Sequence, residues 1–115
     1  MKTSKVEVME IPTELEILEA LKNVKDPEIP LDIVNLGFIR EIKIDKEGNL
    51  SIIATLTTND CPMESYIVKS IVGALKDKFP FLKEISIKFD FSIPWNTDFI
   101  SKEGKEKLRE LGWKI

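Results

Sequence analysis

From Glu84 to Ile93 the chain alternates polar and apolar side chains at every step. Glu84, Ser86, Lys88, Asp90 and Ser92 fall on one side; Ile85, Ile87, Phe89, Phe91 and Ile93 fall on the other. A strict period of two means a strand with one wet face and one buried face, and the buried face requires a cover. That cover lies just upstream, where Met63, Ile67, Ile71, Leu75 and Phe79 recur every fourth residue with Ala74 filling in. This is the apolar stripe of a long helix over residues 62–79.

Two earlier segments repeat the strand pattern. Phe38, Ile42 and Ile44 alternate with Ile39, Glu41, Lys43 and Asp45. After a turn at Glu47-Gly48-Asn49, Leu50, Ile52, Ala54 and Leu56 alternate with Ser51, Ile53, Thr55 and Thr57. Ahead of them Thr13, with Glu16 three residues on, is a capping box opening a helix whose apolar face reads Leu15, Leu18, Leu21 and Val24. Pro27 stops that helix, and Asp26-Pro27-Glu28-Ile29-Pro30 is a stiff connection because each proline fixes its own φ and restricts its predecessor. Asp32 then caps, and Gly37 ends, a single helical turn. A last helix starts at the N-cap Ser101 and stops at Gly112, with Trp113 placed to fold back on Leu108. The order is α-β-β-α-β-α, and residues 1–115 read as one α+β domain, a two-layer α/β sandwich. Residues 1–12 carry no clear period and read as a loose arm, Val6–Met9 being the one stretch suited to a short strand.

Composition removes several classes of function. With 115 residues, 43% of them hydrophobic, the chain has material for one ordinary core. No apolar run nears the roughly 20 residues of a membrane span, and nothing signal-like opens the chain. The reading is a cytoplasmic, reducing-compartment protein with no membrane association. Zero histidines exclude Ser-His-Asp chemistry and histidine-ligated zinc, and one cysteine excludes an internal disulfide. A net charge of −3 gives no footprint for nucleic acid. Absence of Gln with abundant Lys and Glu matches hyperthermophile proteins, and equally an AT-rich genome.

Three stretches carry side chains with chemistry to offer. In Thr57-Thr58-Asn59-Asp60-Cys61-Pro62-Met63-Glu64, the proline and Glu64 suit the first helical turn and make Cys61 the N-cap. A thiol there faces unpaired N–H groups and the positive end of the helix dipole, both of which favour thiolate; the carboxylate of Asp60 opposes it. The other reading of Cys61 is a small buried hydrophobe. Asp26 and Glu28, held by a proline, are suited to metal or to an acidic contact, or form a solvated turn. Trp95, in Pro94-Trp95-Asn96-Thr97-Asp98, either closes the core or meets a partner. The alternating Lys102, Glu103, Lys105, Glu106, Lys107, Arg109 and Glu110 form a solvated helix face.

Asp26-Pro27-Glu28, then Asp32-Ile33-Val34-Asn35-Leu36-Gly37-Phe38-Ile39, then Thr55-Leu56-Thr57-Thr58 leading to Cys61-Pro62, resemble the SufT/PaaD-like metal–sulfur cluster assembly family, over about residues 13–112. Pro94-Trp95 and the final helix are similar to its C-terminal pattern. The family also occurs fused ahead of P-loop scaffold ATPases. The resemblance implies a small mixed three-stranded sheet with helices on one side, often in a homodimer. It implies that Cys61 is the functional thiol, with Asp26, Glu28, Thr57 and Thr58 around it and Asn59 and Asp60 in the same stretch. It further implies work on iron–sulfur clusters with an Fe–S scaffold or carrier of P-loop ATPase type and apo client proteins as partners. The chain departs from the family at Asp60, where glycine is usual, and it lacks the cysteine-rich PaaD tail.

An Fe–S cluster usually takes four thiolates, and this chain has one. The expectation is therefore a non-enzymatic maturation factor with no stably bound cofactor, whose Cys61 ligates iron or a cluster transiently or whose surface docks clients. Two other classes stay open: a thiol-based redox or persulfide-transfer enzyme using Cys61, and a KH-like nucleic-acid module. The second lacks Gly-x-x-Gly and a basic surface.

Overall fold

The computed structural model describes residues 11–57 and 61–115. The arm reading of residues 1–10, with its strand at Val6–Met9, lies outside the described residues. Helix α1 spans Glu14–Leu21, strand β1 Ile39–Ile44, β2 Asn49–Ala54, helix α2 Cys61–Lys78, β3 Glu84–Phe89 and α3 Lys102–Glu110, with a short 3-10 turn at Thr97–Phe99. The sheet order is β1-β2-β3. β1 and β2 are antiparallel neighbours; β2 and β3 are parallel, so α2 is the crossover that parallel pairing demands. The α+β sandwich on a mixed three-stranded sheet is thus observed. No helix among the described residues is long and apolar enough to cross a membrane.

Burial follows the periods. Ile67, Ile71 and Leu75 of α2 are fully buried in the same core cluster as Leu50, Ile52 and Ala54 of β2, the central strand. On the opposite sheet face Glu41, Lys43, Ser51, Glu84, Ser86 and Lys88 are all exposed. The capping box of α1 forms as read: the Thr13 N–H donates to Glu16 Oε1 at 2.9 Å and the Glu16 N–H to Thr13 Oγ1 at 3.1 Å. Helix α3 stops as read, with Gly112 at φ +99° and the Trp113 N–H donating to the Leu108 carbonyl at 2.9 Å.

Two readings need correction. The buried face of α1 is Ile17, Ala20 and Leu21, continued past the helix end by Val24, whereas Leu15 is 68% exposed. A three-residue spacing advances only 300° per step and drifts around the helix; the 17/20/21/24 set keeps to one side. Strand β3 ends at Phe89 and not at Ile93, which is 59% exposed. Its neighbour β2 ends at Ala54, whose carbonyl takes the Asp90 N–H at 2.9 Å, and Asp90 then accepts the Ser92 N–H in a turn. Alternation persists past the last partner, but a strand cannot.

The β1–β2 hairpin is closed by Asp45, whose carboxylate accepts N–H groups from Glu47 and Asn49 and the Asn49 side-chain amide. Hydrogen bonding to Asn49, then Glu47 and Gly48, holds the Asp45 carboxyl below the usual carboxylate range. A depressed folded-state pKa contributes stability that is present above the unfolded value and lost as pH falls through the folded one. The hairpin amides are therefore expected to lose hydrogen-exchange protection below about pH 4, and Asp45→Asn to flatten that dependence.

Candidate functional site

The stretch bearing the thiol leaves the sheet at the end of β2. Thr55 and Leu56 are buried and Thr57 half-buried, after which α2 begins at Cys61 itself, one position earlier than an N-cap reading of that residue. Thr58, Asn59 and Asp60, and the side chain of Cys61, lie outside the described residues. The backbone still fixes the essential placement, since residue 61 stands at the N-terminal end of an 18-residue helix. Glu64 follows in the first turn.

The turn at residues 32–37 abuts this stretch. The Phe38 carbonyl accepts the Thr55 N–H at 2.8 Å, so the residues after Gly37 and those leading to Cys61 are hydrogen-bonded neighbours. Asp32, only 6% exposed, organises the turn: one oxygen accepts the Val34 and Asn35 N–H groups at 3.1 and 3.0 Å, the other the Asn35 side-chain amide at 2.7 Å. Asn35 passes the connection on. Its side-chain oxygen accepts the Ser101 hydroxyl at 2.6 Å, and its carbonyl accepts the Ser101 N–H at 2.8 Å. Ser101 in turn caps α3 through the Gly104 N–H at 2.9 Å. Asp32→Ala would leave three inward N–H donors without partners, and each such orphan costs about 1–3 kcal/mol. A fall of at least about 2 kcal/mol in urea-unfolding stability, with some shared compensation by water, is the expected outcome.

Asp26 and Glu28 are placed differently. Asp26 is 7% exposed, and its Oδ2 accepts the Glu28 and Ile29 N–H groups at 2.8 and 2.7 Å; the Glu28 side chain is exposed. That carboxylate holds the proline turn together, while Pro27, Glu28 and Pro30 around it are exposed. Among the described residues no group of three or more Cys, Asp or Glu is placed to hold a metal ion. No hydrogen bond joins Asp26 or Glu28 to Thr57 among the described residues.

Trp95 is half-buried, and its indole N–H donates to the Leu36 carbonyl at 2.6 Å while its ring meets Phe38 edge-on at 5.9 Å. Both features close the core over the 32–37 turn. A residue the sequence reading passes over acts beside it. Register in β1 shifts between Ile39 and Glu41, and Arg40 at that bulge donates to the Ile93 carbonyl at 2.6 Å and lies 5.2 Å over the Phe99 ring. Bulges re-aim side chains in this way. The segment after β3 is thus clasped to the turn at Asn35 and Leu36 and to the start of β1 at Arg40.

The comparisons with known proteins follow the same outline. The family model described as iron-sulfur cluster assembly protein matches residues 14–89, from the start of α1 to the end of β3. The Fe-S protein maturation auxiliary factor YitW of Bacillus subtilis is 37% identical over 92 residues, covering 80% of this chain and 89% of its own. The auxiliary factor SufT of Staphylococcus aureus is 34% identical, covering 72% and 93%. Among solved structures, a domain of unknown function from Bacillus anthracis superposes with a TM-score of 0.79 at 32% identity, covering 84% of this chain and 91% of that one. A match that runs through both turns, the sheet and the cysteine-bearing helix leaves one conclusion: this chain belongs to the iron–sulfur cluster assembly protein family.

Proposed function

We propose that the protein is an Fe–S protein maturation factor, working as its relatives YitW and SufT are named to work, with Cys61 as the thiol that meets the cargo. The observation that carries this is the position of the chain's single cysteine at the start of α2, within the family match. The positive end of an 18-residue helix favours thiolate, and thiolate is the ligand iron and its clusters select. One thiolate with no histidine leaves a cluster's remaining positions to other donors, so any cluster is cargo in passage and not a resident group. The weak hold is what a transfer step requires. Thr57, Thr58, Asn59 and Asp60 would shape the approach to the sulfur; Asp26 would act by stiffening the proline turn, leaving the exposed Glu28 side chain free for an acidic contact.

The partners are Fe–S proteins, and in the finer reading a P-loop ATPase scaffold or carrier on one side and apo clients on the other, in the cytoplasm. The activity is transfer or docking without enzymatic turnover. Anaerobic reconstitution with iron and sulfide, comparing wild type with Cys61→Ser by absorbance and by delivery to an apo-ferredoxin, tests the reading. Charge-transfer bands and delivery are expected for wild type alone; equal delivery by the serine variant would overturn the role of the sulfur.

A further inference from the structure

Phe91 lies two residues past the end of β3 and is still half-buried. Its ring stacks on that of Phe89, with centroids 6.1 Å apart and planes 12° from parallel, and both rings pack against the core cluster. The register of β3 with β2 ends at Phe89, opposite Ala54, so ladder pairing does not account for Phe91. What the stacked pair stands beside follows from the crossover. Strands β2 and β3 are parallel, and α2, which connects them and packs against β3, runs the opposite way. A groove between helix and strand fixes the levels, being lined by Glu64, Ser65, Val68, Lys69, Ile87 and Phe89. Lower helix numbers meet higher strand numbers, which sets residues 68 and 69 beside Ile87 and residues 64 and 65 beside Phe89.

Two strand residues advance about 6.6 Å and four helix residues about 6 Å. One further step along both elements therefore brings residue 61 level with Phe91. Position 61 also belongs to the groove flank of the helix: steps of three, four, seven and eight from it reach 64, 65, 68 and 69, the helix residues that line the groove. We infer that Phe91, held flat by Phe89, is the apolar wall of the thiol site, a specificity-determining residue that closes the sheet side of the approach to residue 61. This deepens, and rests on, the reading of Cys61 as the thiol that meets the cargo. Cargo and the donor that brings it then arrive from the side of Thr57, where the chain leaves β2 for the helix start. The ring also keeps water from one side of the sulfur, and solvent access around a ligand is one of the levers a protein has on an iron site.

Alkylation of Cys61 in the folded, metal-free full chain tests the wall without iron, and the readout is unambiguous because the chain has one cysteine. Two reagents are compared, N-ethylmaleimide and a much bulkier maleimide-capped polyethylene glycol. Both consume the same thiolate, so the ratio of their rates reports room around the sulfur and not its ionisation. Phe91→Ala should raise the ratio of bulky to small reagent about fivefold, the rate equivalent of about 1 kcal/mol of relieved crowding. Phe91→Trp restores a flat ring and should keep the wild-type ratio. Phe81→Ala, the same change at an exposed aromatic ahead of β3, should leave it unmoved. Phe91→Leu keeps apolar volume and the fold if alanine does not, and should shift the ratio the same way. An unchanged ratio in the alanine and leucine variants, or an equal rise with Phe81→Ala, would overturn the wall while leaving the role of Cys61 standing. A raised ratio, in a protein whose Cys61→Ser variant still delivers clusters, would uphold the wall and overturn the cargo reading.

Discussion

Cys61→Ser is expected to leave the chain folded while reducing Fe–S client activity in cells to the level seen without the protein. Serine keeps the size of the side chain and its preference for a helix start, so the urea midpoint should hold. What it removes is the soft donor. An alkoxide at a serine oxygen is not populated near neutral pH, and hard neutral oxygen is a poor ligand for iron–sulfur cargo. The measurement is the activity of an Fe–S enzyme in cells carrying each version at equal protein level. Client activity equal to wild type in the serine strain would count decisively against a sulfur-centred role. Reconstitution separates the two forms of the reading: wild type that accepts no cluster, with defective serine cells, makes the protein a docking adaptor. A thiol titration adds the electrostatic test, since a helix-start cysteine should ionise below the free value of about 8.5.

The parts of this molecule that are legible in the sequence are those written in local period. Ile67, Ile71 and Leu75 repeat at helical spacing and are fully buried. Ser101 and Gly112 mark the ends of α3 because caps are decided within four residues. Thr13 with Glu16 works for the same reason. The parts that period misplaces depend on a distant partner. Strand β3 stops at Phe89 because β2 has run out, which no inspection of residues 84–93 could show. Asn35 and Ser101 are 66 positions apart, and Leu36 and Trp95 are 59 apart, so the clasp that binds the C-terminal segment to the 32–37 turn leaves no periodic trace. Asp26 illustrates a subtler limit. A carboxylate beside proline looks available from the sequence, and only the fold reveals that its oxygen is occupied by two backbone donors. The family resemblance groups these motifs without their contacts, and the family match agrees with that grouping.

Gly37→Ala is expected to be the most damaging single change outside the thiol. Gly37 holds φ +78°, a conformation that costs an L-residue roughly 1–2 kcal/mol. It also has no room: a Cβ built there would stand 2.2 Å from the Phe99 carbonyl oxygen and 2.8 Å from its carbonyl carbon. Those are backbone atoms, fixed on one side by Arg40 stacked on the Phe99 ring and on the other by the Ser101 N–H bonded to Asn35. Relief therefore means moving the 3-10 turn at Thr97–Phe99 away from the 32–37 turn and loosening the clasp, at an overpacking cost of about 1–3 kcal/mol. Together the two effects should remove about 2–5 kcal/mol, a large share of the roughly 5–15 kcal/mol that holds a domain folded. Gly112→Ala separates them, because Gly112 has φ +99° with nothing within 4 Å of a Cβ. It should incur the backbone cost alone and lose roughly 1–2 kcal/mol. Urea midpoints at unchanged m-value give the comparison. Equal losses in the two variants would mean that the approach of Phe99 to Gly37 does not hold the C-terminal segment in place; a loss at Gly37 larger by about 2 kcal/mol would show that it does.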